Sequence, residues 1–230
     1  MKLIVVLLIL FLNLQKSFGN ILAPKGFYEL IKVEGDLNQD NKSDLVFVWV
    51  SCKVDQCDEL DSENPPKILS EVYLGEKSKG KYIRLDQSTG LVCFRCGEVK
   101  GSTFVGDLEI TKKGIIEVSY EGGSRWAWNH VLKWRIDKSK KLTLIGSTYR
   151  NYDTANESES NGIYDSNSKG SLTFVDINYS TKNIDYTFIN DKLKEQKAGC
   201  RLESKYIAPT FAKFNFTEFE AGNGHCLRRK

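Results

Sequence analysis

The chain is short of several things, and each shortage narrows what it can be. In 230 residues there are 4 prolines, 2 histidines and a single methionine. So few histidines leave little room for imidazole acid–base or metal chemistry, because His is the side chain that titrates near neutral pH. An excess of one charge sign is also missing, since 33 Lys and Arg stand against 30 Asp and Glu. A surface this close to neutral exerts no long-range pull on a polyanion, which argues against nucleic acid as a partner. Heptads, a long amphipathic helix and repeated units are absent. So are G-x-S-x-G, H-E-x-x-H and a Gly-rich phosphate loop. No apolar run is long enough to span a bilayer; the longest, Leu3 to Leu12, lies near the N-terminus.

That run sits in "MKLIVVLLILFLNLQKSFGN". Lys2 precedes it, and the small residues Ser17 and Gly19 stand three and one before a cut ahead of Asn20. The pattern reads as a secretory signal peptide over residues 1–19. The mature chain would hold 211 residues (230 minus 19), with 31 basic residues left after the loss of Lys2 and Lys16. The expected location is therefore secreted or periplasmic, with no membrane span after cleavage.

Six cysteines are present: Cys52, Cys57, Cys93, Cys96, Cys200 and Cys226. An even count in an exported chain points to disulfides. Proximity favours Cys52–Cys57, Cys93–Cys96 and Cys200–Cys226, although sequence alone does not choose the pairing. "CFRC" at 93 to 96 also has the C-x-x-C spacing of thiol–disulfide enzymes. A reactive pair needs a thiolate of lowered pKa, usually at a helix N-terminus. Strand-and-turn surroundings favour a structural bridge, and export disfavours a zinc site shared with Cys52 and Cys57.

The spacing is that of β-structure. "LVFVWV" (45–50) is apolar on both faces, as in a central strand. "ILSEVYLG" and "KYIRL" flank a turn at "EKSKGK". "DLEITKKGIIEVSY" turns at "KKG", and "SRWAWNHVLKWRID" pairs with "KLTLIGSTY" across "KSKK". "SLTFVDINYSTKNIDYTFIN" reads as a further hairpin, and "DKLKEQKAGC" as a short helix. The fold class is mainly β, built of antiparallel hairpins in a meander, propeller-blade-like or sandwich, and stapled by disulfides. Residues 20–150 form the β domain, 151–170 a mobile polar loop, and 171–230 a C-terminal hairpin and tail packed on the same domain.

Along 125–136 the even positions give Trp126, Trp128, His130, Leu132 and Trp134, while the odd ones include Arg125, Lys133 and Arg135. Period two puts the aromatics on one face. They are either core or a platform for a sugar or peptide. His130 reads as a satisfied core residue. Two glycines in "EGGS" just before offer a bulge or tight turn.

The densest collection of oxygen donors is "GDLNQDNKSDL" at 35–45. Counted from Asp36, side-chain oxygens fall at positions 1, 3, 5 and 9 (Asp36, Asn38, Asp40, Asp44), and Lys42 at 7 can offer its backbone carbonyl. Calcium takes oxygens from loops with this alternate spacing. Asn41 stands where such loops turn with positive φ, and Phe47 stands where an EF-hand carries Glu. The competing reading is an Asx-rich turn that satisfies its own backbone.

"GDLNQDNKSDLVFV" resembles the D-x-N-x-D-G-x-x-D-hydrophobic unit of FG-GAP or VCBS-type repeats, which form calcium loops on β-propeller blades of secreted and surface proteins. "GGSRWAWNHVLKWRI…LTLIGSTYR" is similar to a segment of exported bacterial proteins that carry one such repeat, and "CFRCGEVKGSTFVGDLEI" falls in the same pattern. The resemblance covers residues 33 to 150. It implies one calcium ion held by Asp36, Asn38, Asp40, the Lys42 carbonyl and Asp44, and it carries no activity with it.

The expected function is an exported, non-enzymatic binding protein with a calcium-stabilised β fold, its partner a protein or a glycan of the cell envelope or outside. The alternative is a secreted enzyme, either a carboxylate-based hydrolase or an oxidoreductase using Cys93 and Cys96. Four N-x-S/T sequons occur, at Asn41, Asn156, Asn178 and Asn215. In a eukaryotic source some would carry glycans. A sugar on Asn41 would fall inside the ion loop, which favours a bacterial source.

Overall fold

A computed structural model describes residues 21–53, 56–57, 65–76, 80–92, 107–153, 172–189, 195–204, 206–216 and 226–228. Among the described residues, twelve strands form two antiparallel sheets in which every hydrogen-bonded neighbour is also the neighbour in sequence. The first sheet holds β1 (Tyr28–Gly35), β2 (Asp44–Val50), β3 (Ile68–Gly75) and β4 (Tyr82–Ser88). The second holds β5 (Asp107–Ile110), β6 (Ile115–Gly123), β7 (Trp126–Ile136), β8 (Leu142–Asp153), β9 (Leu172–Asn178), β10 (Asn183–Ile189), β11 (Glu195–Leu202) and β12 (Cys226–Arg228). The fold is the mainly β, antiparallel meander that the alternating sequence predicts, and the hairpins turn where "KKG" and "KSKK" stand. The C-terminal hairpin continues the same sheet, with β9 paired to β8.

One core serves both sheets. Val46, Val48, Val50 and Val72 come to it from the first, and Ile116, Val118, Leu132 and Trp134 from the second. β1 lies against β5, which brings the two sheets together at that edge. β2 is buried along its whole length, as a strand apolar on both faces must be. Its other face forms a separate cluster of Leu45, Phe47 and Trp49, covered by Ile21, Phe27, Leu69, Tyr73 and Tyr82.

Two readings are corrected by the strands. "EQKAGC" is not helical: Glu195–Leu202 is β11, paired with Asn183–Ile189 across a full register. Its apolar content is low, and a ladder of backbone bonds to β10 holds it where side-chain pattern alone does not decide. Residues 151–153, expected to open a mobile polar loop, are instead the end of β8, which runs to Asp153. The rest of it, 154–171, lies outside the described residues.

Candidate functional site

Loop 36–43 joins β1 to β2, and its geometry is set by its own side chains. Asp36 accepts the amides of Asp40 (3.0 Å) and Asn41 (2.8 Å), and Asn38 accepts the same Asp40 amide at 3.1 Å. Asp40 accepts the Lys42 amide at 3.1 Å and pairs with the Lys42 ammonium. That ammonium, ahead of the other contacts, holds the Asp40 carboxyl below its usual range. Asn41 takes the left-handed φ of +63° expected of it, and Gln39 does the same at +60°. The β5–β6 turn presses against this loop. A Cβ on Gly114 would stand 2.6 Å from the Leu37 carbonyl oxygen, so that turn requires glycine.

Asp44 plays a different part from its neighbours. It is fully buried, and its two oxygens accept the Leu37 amide and the Gly75 amide, each at 2.8 Å. Burial pushes its pKa up, and the amide bonds oppose that rise. Asp44 thus clips the loop to the end of β3. The structure therefore brings Asp36 and Asn38 together on the Asp40 amide, turns the Asp40 carboxylate to Lys42, and commits both oxygens of Asp44 to backbone amides. All the donors are oxygens, which is the donor chemistry of calcium. As placed, each is engaged within the chain. Among the described residues no group of three or more His, Cys, Asp or Glu is arranged to hold a metal ion.

The Trp stripe is graded along β7. Trp134 is sealed in the core, edge-on to Phe211 (5.4 Å) and Phe214 (5.1 Å). Trp128 is half-buried and lies 6.3 Å from Phe216, which stacks on Tyr120 at 3.8 Å. Trp126 is 53% exposed, with the Arg125 guanidinium 5.9 Å from its ring. On β8 Arg150 lies 4.6 Å from the Tyr152 ring; the two stand opposite Asn129 and Ala127, on the other face of the sheet from Trp126. The turn before Trp126 is the one "EGGS" foreshadows, with Gly123 at φ +86°. His130 is the satisfied core residue expected: its Nε2 shares a proton with Ser147 Oγ at 2.7 Å, and burial lowers its pKa to about 4.

Cys52 and Cys57 form a disulfide, with Cα atoms 5.4 Å apart, both in the core cluster. The bridge ties down the start of the acidic loop. Cys200 is also disulfide-bonded, and no described cysteine is free. The register sets Cys226 opposite Leu202, two residues from Cys200. Cys93 and Cys96 lie outside the described residues.

Sequence reasoning passed over Glu71, the most demanding polar group of the first sheet. It is 1% exposed and accepts Trp49 Nε1 (2.8 Å), the Tyr73 hydroxyl (2.9 Å) and Arg84 Nη1 (2.6 Å). Burial first, then the Glu71 carboxylate, pushes Tyr73 up to about 12. The available signal was register: a Glu opposite Phe47, on a strand beside one apolar on both faces, must find partners.

Compared with known family models, curated proteins and solved structures, the chain matches none of them.

Proposed function

We propose that the protein is an exported, non-enzymatic binding module whose partner is a protein or an envelope glycan. The observation that carries this reading is Trp126. A large aromatic side chain left half in solvent, beside its stripe-mate Trp134 at zero exposure, is the residue type that anchors binding surfaces. The Arg125 guanidinium over its ring adds a cation to the same patch, whereas the Arg150–Tyr152 pair, opposite Asn129 and Ala127, belongs to the other face of the hairpin. Flat rings stack on sugar or peptide, and guanidinium groups take carboxylate or phosphate bidentately. Loop 36–44 belongs to the same reading as a calcium loop of the FG-GAP or VCBS kind. Alternate oxygens and a left-handed Asn41 support it, and Asp40 must exchange the Lys42 ammonium for the ion.

The test is capture from the native envelope extract. Wild-type protein should retain a specific partner, and Trp126→Ala should lose it while melting like the wild type. An identical set of captured species with both proteins would refute the reading.

A further inference from the structure

The four sequons were left unused by the binding role, and the fold sorts them. Asn156 is outside the described residues. Asn215 is half-buried and bridged to Gly90, and its Cα would stand 2.7 Å from a Cβ at that glycine, so another chain segment closes over it. Asn41 is exposed but locked in the left-handed conformation inside the loop that Asp36 organises.

Asn178 differs from Asn41 and Asn215. It ends β9, exposed, at the entrance to the β9–β10 turn. Its neighbours Ile177 and Tyr179 are buried, so alternation sends its own side chain outward. The register places it opposite Gly146 on one side and Asn183 on the other. Gly146 carries no side chain to crowd a substituent. The Thr181 amide donates to Asn178 Oδ1 at 3.0 Å, which pins the side chain to the turn that follows. That bond uses Oδ1 and leaves Nδ2, the atom a glycan takes, outside it. Ser180, the hydroxyl residue of the sequon, is exposed as well. An acid, Asp176, stands two residues before Asn178, where the other sequons have Gln39, Thr154 and Lys213. A transferase that also reads an acid there would select Asn178 alone.

We infer that Asn178 is an N-glycosylation site, the exposed turn Asn178–Thr181 presenting its amide nitrogen to an oligosaccharide carried on a polyprenyl pyrophosphate. In the transfer, Asn178 Nδ2 bonds to the anomeric carbon, the bond from that carbon to the pyrophosphate oxygen breaks, and the amide gives up one proton to the transferase. The first sugar then lies over Gly146 and the Lys133 side chain beside it, on the solvent face of β8 and β7. The inference shares with the binding reading only its export and is independent of Trp126.

Glycopeptide mass spectrometry of protein purified from its native source tests it. The peptide holding Asn178 should carry an increment of whole sugar residues. Asn178→Gln and Ser180→Ala should each abolish the increment, and Asn41→Gln should leave it in place. Ser180→Ala keeps the bond from the Thr181 amide to Asn178 Oδ1, so it decides the matter even where Asn178→Gln fails to accumulate. An Asn178 peptide at its bare polypeptide mass overturns the inference, as does an increment that survives in both variants. The N-terminus read in the same spectrum separates the two ideas. A bare Asn178 in a chain starting at Asn20 sinks the glycan alone, whereas a bare Asn178 in a chain keeping Met1 sinks export with it.

Discussion

Replacing the tryptophans of β7 one at a time should produce a gradient. Trp134 is sealed, so Trp134→Ala removes a large buried ring and leaves a cavity, at a cost of about 3–5 kcal/mol. Its two edge-to-face contacts with Phe211 and Phe214 add roughly 0.5–1.5 kcal/mol each beyond area burial, which places the loss toward the upper end. For a domain of this size about 2–4 °C of melting temperature accompanies each kcal/mol, so the shift should be roughly 6–20 °C. Trp134→Phe should cost much less. It keeps a ring against both partners and removes the indole Nε1, which is buried without a hydrogen bond. Trp128→Ala should fall between, because that ring is only partly buried. Trp126→Ala should stay within about 0.5 kcal/mol of wild type, as exposed substitutions do. Urea melts read by fluorescence and circular dichroism give the values. Equal losses at all three positions would refute the graded burial.

Two further outcomes follow from buried and charged groups. His130 has a folded pKa of about 4 against an ordinary 6.5, so the folded state refuses a proton that the unfolded chain accepts. Its stability contribution is therefore full above pH 6.5 and falls as pH drops toward 4, by roughly 3 kcal/mol in all; His130→Gln should flatten that stretch of the stability–pH curve, and an unchanged slope would count against the assignment. Calcium at about 2 mM, bound with a dissociation constant of about 10⁻⁴–10⁻³ M, should stabilise the fold by about 0.6–1.8 kcal/mol. Asp40→Ala should abolish that gain and Lys42→Met, which frees Asp40 while keeping the backbone carbonyl, should enlarge it. Calorimetry showing no heat of binding with either wild type or Lys42→Met would leave the loop an Asx turn.

Much of this was legible in the sequence for a physical reason. Strand pairing in a meander is local, so the apolar alternation of 115–136 and the turn residues beside it carry nearly all the information needed for β6, β7 and β8. β11 escaped because "EQKAGC" has good helix formers and little alternation, and its strand is imposed by the β10 ladder. The Trp stripe has perfect period two, yet period says which face a residue shares and not how far along the strand the core extends. Phe211, Phe214 and Phe216 decide that, and they come from a segment about eighty residues downstream. The loop at 36–44 was visible as a set of oxygens. That Asp44 turns away to hold Gly75 was not, because the contact joins residues 31 apart.

The strictly sequential order of the strands has a consequence for how the chain is made. Each strand finds its partner in the strand synthesised just before it, so a chain emerging N-terminus first meets its pairing edge already in place. The first sheet can be complete once Ser88 has appeared, and from β6 onward each new strand of the second sheet has its template waiting. Among the described residues, the 210–216 segment, bridging back to Gly90 and Thr143, has to wait for nearly the whole protein, and it acts as a late latch of assembly.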